Sequence, residues 1–188
     1  MKNTKFVVGY VLVAGLSFLV AHPSFALPAP LRVRPGKVSQ PIQSGVLVGG
    51  QSGAEFSLLG IQTESLKGSG ERLVLLYGDR YGNSLKNEPG FYHVSLDRNA
   101  RRLVIDLAQV SRTAVDPMKL SRILAASQLV SSSEMTMDPS DGSTNITLVL
   151  KEPARLKVTT ADDSQSANQG AKVLIDLERV NLTKSMKP

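Results

Sequence analysis

Residues Arg102–Val110 read Arg-Leu-Val-Ile-Asp-Leu-Ala-Gln-Val, and residues Lys172–Val180 read Lys-Val-Leu-Ile-Asp-Leu-Glu-Arg-Val. Ile, Asp, Leu and Val recur in register, 70 positions apart. Each copy closes a similar succession of short apolar runs, so the sequence predicts two related halves. A chain built this way must bury two matching sets of strand faces, and the simplest way is to turn one set against the other.

Two-residue alternation marks the strands from Glu55 onward. Phe56–Leu66 reads as the first. Leu73, Leu75 and Tyr77 share one face of the next, with Arg72, Val74 and Leu76 on the other. Asp79–Gly90 carries Gly82, Asn83, Pro89 and Gly90 and reads as a loop. Tyr92, Val94 and Leu96 then alternate with His93, Ser95 and Asp97. Asp97-Arg98-Asn99-Ala100 signals a tight turn into Arg102–Leu107, with Leu103, Ile105 and Leu107 inward. Asp116-Pro117 is an N-cap followed by proline at the first helical position, and Leu120, Ile123, Leu124 and Ser127 follow at helical spacing. One short helix over about 117–128 is predicted, closing an end of the β core. The second half repeats the plan through Val130–Met137, a turn at 138–142, Ile146–Leu150, Leu156–Val158, a polar loop at 162–170 and Val173–Leu177. The predicted fold is all-β: a symmetric sandwich of two small antiparallel sheets from an internal duplication, about three strands per half, each half forming its own sheet.

The first 26 residues stand apart. Lys2 and Lys5 precede an apolar run at Phe6–Ala21, and Ser24-Phe25-Ala26 places small residues at −3 and −1 of a cut before Leu27. This is the layout of a signal peptide cleaved after Ala26. The apolar run falls short of the roughly 20 residues a spanning helix needs, so no membrane span is expected after cleavage and the destination is periplasmic or secreted. Residues 27–54, with four prolines and five glycines, read as a flexible arm; Val46–Val48 within it has the makings of an edge strand. Residues 55–182 form the sandwich and 183–188 a tail.

The chain has no cysteine, so stability is expected from the core alone. Its formal charge of +6 falls to +4 without Lys2 and Lys5. The remaining charges are interspersed with no long basic block, and the mild positive balance suits an anionic envelope surface such as a cell-wall polymer. Modest charge and the lack of basic-aromatic interleaving argue against nucleic acid. His93 is the only histidine after the leader; a zinc centre needs several such ligands, and no nucleophile-elbow sequence is present. Asp138-Pro139-Ser140-Asp141-Gly142 lacks the spaced oxygen ligands and terminal Glu of a calcium loop. No catalytic residue, metal or cofactor is expected.

If Leu103, Ile105 and Leu107 face the core, Arg102, Val104 and Asp106 face out, and Lys172, Leu174 and Asp176 do so on the second copy. Charged groups beside small apolar patches suit a sugar polymer. The aspartates have a second use, capping strand ends or accepting backbone N–H groups in the following turn. Spaced roughly 13 Å apart along one face, Arg102 and Asp106 are expected to pair with neighbouring strands, not with each other. Arg155 and Lys157 form another outward row, and Tyr81, in a glycine-flanked loop, offers a ring for stacking.

Taken in order, Leu73–Leu107 and Ile146–Leu177 resemble the AMIN domain, found ahead of periplasmic N-acetylmuramoyl-L-alanine amidases and in type IV pilus secretins. The resemblance covers about residues 55–180, with Arg102–Leu107 its strongest element. The chain departs from the family at Ala100, where Pro is frequent, and at Ser132–Glu134 and Asn145, where Arg is. The resemblance implies a symmetric sandwich that targets the cell envelope by binding peptidoglycan. The other reading is a protein adaptor of a pilus or secretion machine, joined through a strand edge.

Overall fold

The computed structural model describes residues 30–34, 38–53, 55–68, 70–86, 88–161 and 170–180. The leader expected at 1–26 and its expected cut after Ala26, most of the loop at 162–170 and the tail at 183–188 lie outside the described residues. The strands are β1 (Leu31–Arg32), β2 (Gly45–Gly49), β3 (Phe56–Leu66), β4 (Gly70–Asp79), β5 (Tyr92–Asp97), β6 (Arg102–Leu107) and β7 (Val110–Thr113). After helix α1 (Pro117–Ala125) come β8 (Val130–Asp138), β9 (Ser143–Leu150), β10 (Ala154–Ala161) and β11 (Lys172–Arg179). They form a six-stranded sheet ordered β1-β2-β5-β6-β9-β8 and a five-stranded sheet ordered β10-β11-β4-β3-β7. The alternating apolar residues of both sheets meet in one core, in which Leu103, Ile105, Ile146, Leu75, Leu156 and Ile175 are buried. The fold is an all-β sandwich with, among the described residues, one short helix.

The halves do not form a sheet each. Stripped of β1, β2 and β7, the two orders are β5-β6-β9-β8 and β10-β11-β4-β3. Exchanging β3, β4, β5 and β6 for β8, β9, β10 and β11 turns one order into the other. Each sheet therefore takes one hairpin from each half, and the two Ile-Asp-Leu strands, β6 and β11, hold equivalent inner places. Even the irregularities match: β3 slips register at Leu58/Gly60 and β8 at Val130/Ser132. Exchange lets each half bury its apolar faces against the other, whereas a half with its own sheet would meet its partner only face to face. The sheets are also mixed, because β1 runs parallel to β2 and β7 parallel to β3.

Local chemistry sets the connections. Asp97 Oδ1 accepts the N–H groups of Asn99 and Ala100 at 2.8 and 3.0 Å, forming the β5–β6 turn. Asp116 Oδ1 caps α1 by accepting from Met118 N–H at 2.8 Å, with Pro117 at the start of the helix. The helix stops at Ala125, short of the expected 128. Ser127 is withdrawn to take the N–H groups of Leu129 and Val130 and to donate to Glu71 of β4. Leu120 and Leu124 turn into the core, closing the sandwich beside β8 and β3.

The stretch that composition reads as a flexible arm is, where described, hydrogen-bonded to the sandwich. Ser39 and Ile42 donate to Val158 and Leu156 of β10, both at 2.9 Å. β2 then pairs with β5 on one side and β1 on the other, and Leu47 is buried. The segment thus crosses from the edge of one sheet to the other. Its double glycine serves close approach: a Cβ on Gly49 would overlap the Tyr92 hydroxyl, and Gly50, at φ +80°, lies against the Gly90 carbonyl.

Tyr77 and Tyr92 are buried, with Tyr77 edge-on to Phe56 at 6.5 Å between ring centres. Burial drives the Tyr77 phenol far above its ordinary value, and the neighbouring Tyr92 adds to the shift. Tyr92 is pushed up to about 12, burial outweighing its 2.7 Å contact with Thr160. A raised folded pKa means stability that is complete below the unfolded value near 10 and lost as pH climbs past it. In an alkaline titration the absorbance of these two phenolates should therefore appear only together with loss of the β-sheet circular dichroism. Two buried tyrosines ionising reversibly near their ordinary value with the sheet intact would contradict this packing.

Candidate functional site

Register places the outward side chains of the five-stranded sheet in rungs across β10, β11, β4 and β3. One is Thr159, Leu174, Val74 and Gln62; the next is Lys157, Asp176, Arg72 and Glu64. A groove of about 860 Å³ lies over this face. Val74, Leu76 and Leu174 floor it, Leu59 stands at its margin, and Gln62, Glu64, Arg72 and Lys172 supply its polar edge. β4 is apolar on both faces here, which is why Leu73, Leu75 and Tyr77 can fill the core while Val74 and Leu76 line an outer surface.

The charged rung is built to stay in place. Arg72 Nε and Nη2 donate to the two carboxylate oxygens of Asp176 at 2.6 and 2.9 Å. This is the forked geometry that makes Arg–carboxylate pairs both strong and oriented. The hydrogen bond and charge of Asp176 hold the guanidinium above its ordinary value against the effect of burial, with Glu64 adding a smaller share. Lys157 reaches Glu178 at 2.6 Å, and Arg155, exposed, follows on the next rung opposite Glu178. Asp176 itself is 8% exposed. Both of its oxygens face Arg72, so it orients the groove wall and does not cap a turn.

The first copy lies on the opposite face of the sandwich. Arg102, exposed at the start of β6, reaches toward Thr147, and Asp106 stands between His93 and Asn145. His93 Nδ1 is 2.9 Å from Asp106 Oδ2, and Asn145 Nδ2 donates to Oδ1. Asp106 and Asp176 are thus equivalent in topology and unlike in partners, with Asn145 at the place that Arg72 holds in the other sheet. As expected from their spacing, Arg102 and Asp106 turn to neighbouring strands. Among the described residues, neither aspartate accepts a backbone N–H in a following turn.

The structure brings Lys172, Asp176, Lys157 and Arg155 onto one face and separates them from Arg102 and Asp106. Tyr81 belongs to neither. It sits 67% exposed in the β4–β5 loop with the Arg80 guanidinium 4.6 Å above its ring. That loop is held by Asp79, whose Oδ1 accepts from the N–H groups of Tyr81 and Asn83 at 2.9 Å. The Asn83 side-chain bond, with the backbone bonds behind it, holds the Asp79 carboxyl below the ordinary carboxylate range. Sequence reasoning places Leu174 outward beside Lys172 and Asp176 and misses Leu59, Gln62, Glu64, Val74 and Leu76. The available signal is the apolar character of both faces of β4, which a strand with one solvated face does not show.

Among the described residues no group of three or more His, Cys, Asp or Glu is placed to hold a metal ion, and no helix is long and apolar enough to cross a membrane. No family model matches the chain, and no curated protein matches it.

Proposed function

We propose that this chain is an exported, non-catalytic module of the cell envelope that binds peptidoglycan through the outer face of its five-stranded sheet. The observation that carries this proposal is the groove over β3, β4 and β11. Its aliphatic floor suits the C–H faces of sugar rings. Its edge offers a carboxylate, an amide and cationic groups to hydroxyls and to the carboxylates of a peptide stem. A glycan needs both parts, because its hydroxyl groups bind through paired donors and acceptors while apolar contact excludes water. The leader read over residues 1–26 and the resemblance to the AMIN family support the same destination and the same ligand class.

The test separates the two faces. Soluble glycan–peptide fragments of peptidoglycan should shift the amide resonances of β3, β4 and β11. Leu174→Glu, which places a charge on the groove floor, should weaken binding at least tenfold. Arg102→Glu, on the opposite sheet, should leave it unchanged. Loss of binding in Arg102→Glu with binding retained in Leu174→Glu would reverse the assignment of the face.

A further inference from the structure

β8 ends the six-stranded sheet. Among the described residues, no backbone hydrogen bond reaches its outer edge from Ser132 to Asp138. Proteins ordinarily blunt such an edge with proline, lysine or a bulge. Ser132–Asp138 carries neither residue, and the register slip at Val130/Ser132 lies before it. Seven consecutive residues thus present strand-pairing groups with neither proline nor lysine among them; α1 packs beside β8, with Ser121 against Ser133, and the charges on the segment are Glu134 and Asp138.

The two sides of this edge differ in chemistry. Ser133, Met135 and Met137 lie opposite the buried row Leu148, Ile146 and Thr144 of β9, and so point to the core side. There β8 and α1 enclose a groove of about 450 Å³ lined by Pro117, Met118, Leu120, Ser121 and Arg122 of the helix and by Ser133, Glu134 and Met135 of the strand, so that Glu134 borders it from the outward row. Met118 is 68% and Met137 41% exposed. Methionine is unbranched and polarisable and adapts to varied apolar partners. The outward row is Ser132, Glu134, Thr136 and Asp138, whose only charges are negative. Asp138 Oδ1 accepts from Ser140 in the following turn, leaving its other oxygen to face out.

From this juxtaposition we infer that the β8 edge is a second binding surface, which takes up an extended segment of a partner protein carrying alternating apolar and basic side chains. The segment adds a strand to the sheet. Its apolar side chains enter the groove between α1 and β8, and its basic side chains stand beside Glu134 and Asp138. Main-chain hydrogen bonds hold it, while the alternating pockets and charges select it. Charge disfavours a second copy as the occupant: two β8 strands paired about a two-fold bring one acidic row beside the other, and with the two-fold at Glu134 they set Glu134 against Glu134. The side chains of Met118, Leu120 and Met135 favour an apolar residue inside the groove, and Glu134 at its border favours a basic residue on the outward side. This surface lies apart from the peptidoglycan groove, so both can be filled at once.

The experiment uses the chain without its leader and two seven-residue peptides, one alternating lysine with valine and leucine, the other alternating glutamate with the same residues. The lysine peptide should bind and shift the amides of 132–138, with the glutamate peptide at least tenfold weaker. The double variant Glu134→Lys/Asp138→Lys, at exposed positions, should reverse that order. Met118→Asp should weaken both peptides. Shifts confined to other strands, an order unchanged by the double variant, or a dimer in sedimentation that the double variant abolishes would each overturn the proposal.

Discussion

Ile175→Ala is expected to lower the free energy of unfolding by about 3–4 kcal/mol, a large part of the roughly 5–15 kcal/mol that holds a domain folded. Ile175 is fully buried on β11, between Leu73 of β4 and Val158 of β10. β11 is flanked by a strand from each half. Truncation there removes apolar contact and leaves a cavity at the seam the two halves share. The topology adds a sharper expectation: Ile105→Ala, at the equivalent place on β6 in the same core, should cost a similar amount. Urea unfolding followed by circular dichroism measures this as a shift in midpoint at constant slope. A loss below about 1 kcal/mol for either variant would mean that the repeated strands are not the centre of the core.

Asp176→Ala should cost about 3 kcal/mol, and Asp106→Ala less than about 1 kcal/mol. The sequence treats the two positions alike. The structure gives Asp176 a forked ion pair in which the Arg72 and Asp176 side chains are 28% and 12% exposed. Asp106 has an amide and a histidine, with the His93 and Asp106 side chains 38% and 42% exposed. Removing Asp176 strands a half-buried guanidinium; removing Asp106 leaves groups that water can reach. The double variant Arg72→Met/Asp176→Leu should recover most of the stability, since exchanging both partners of such a pair for apolar residues removes the desolvation cost together with the attraction. Equal losses for the two single variants, measured by the same unfolding experiment, would show that the pair does not hold the groove wall.

The strands with one face inside and one outside are legible in the sequence, because alternation is a local signal. β5, β6 and β9 carry it cleanly, and the Asp116-Pro117 cap announces the helix. The exchange of strands between halves is not legible. Which strand lies beside β6 depends on contacts such as that of Asp106 with Asn145, 39 positions away, and alternation is silent about neighbours. Ile105 and Ile175 show the reach of a local signal: both read as inward, and neither can be assigned a sheet. The stretch around Gly49 and Gly50 misleads for a physical reason. Glycine marks flexible chain and tight backbone approach equally well, and only the nearness of Tyr92 and Gly90 tells which. Of the candidate binding residues, Lys172 and Asp176 emerge from the repeat. Their partner in the groove wall, Arg72, lies 104 positions from Asp176, beyond any local pattern. Val74 and Leu76 read as ordinary strand residues until the fold sets them beside Leu174.

The most direct measurement is co-sedimentation of residues 27–188 with purified insoluble peptidoglycan across low and moderate salt. The chain should enter the pellet at both, since the groove floor is aliphatic and salt weakens only the charged edge. A chain that stays in the supernatant at both would contradict the proposed function.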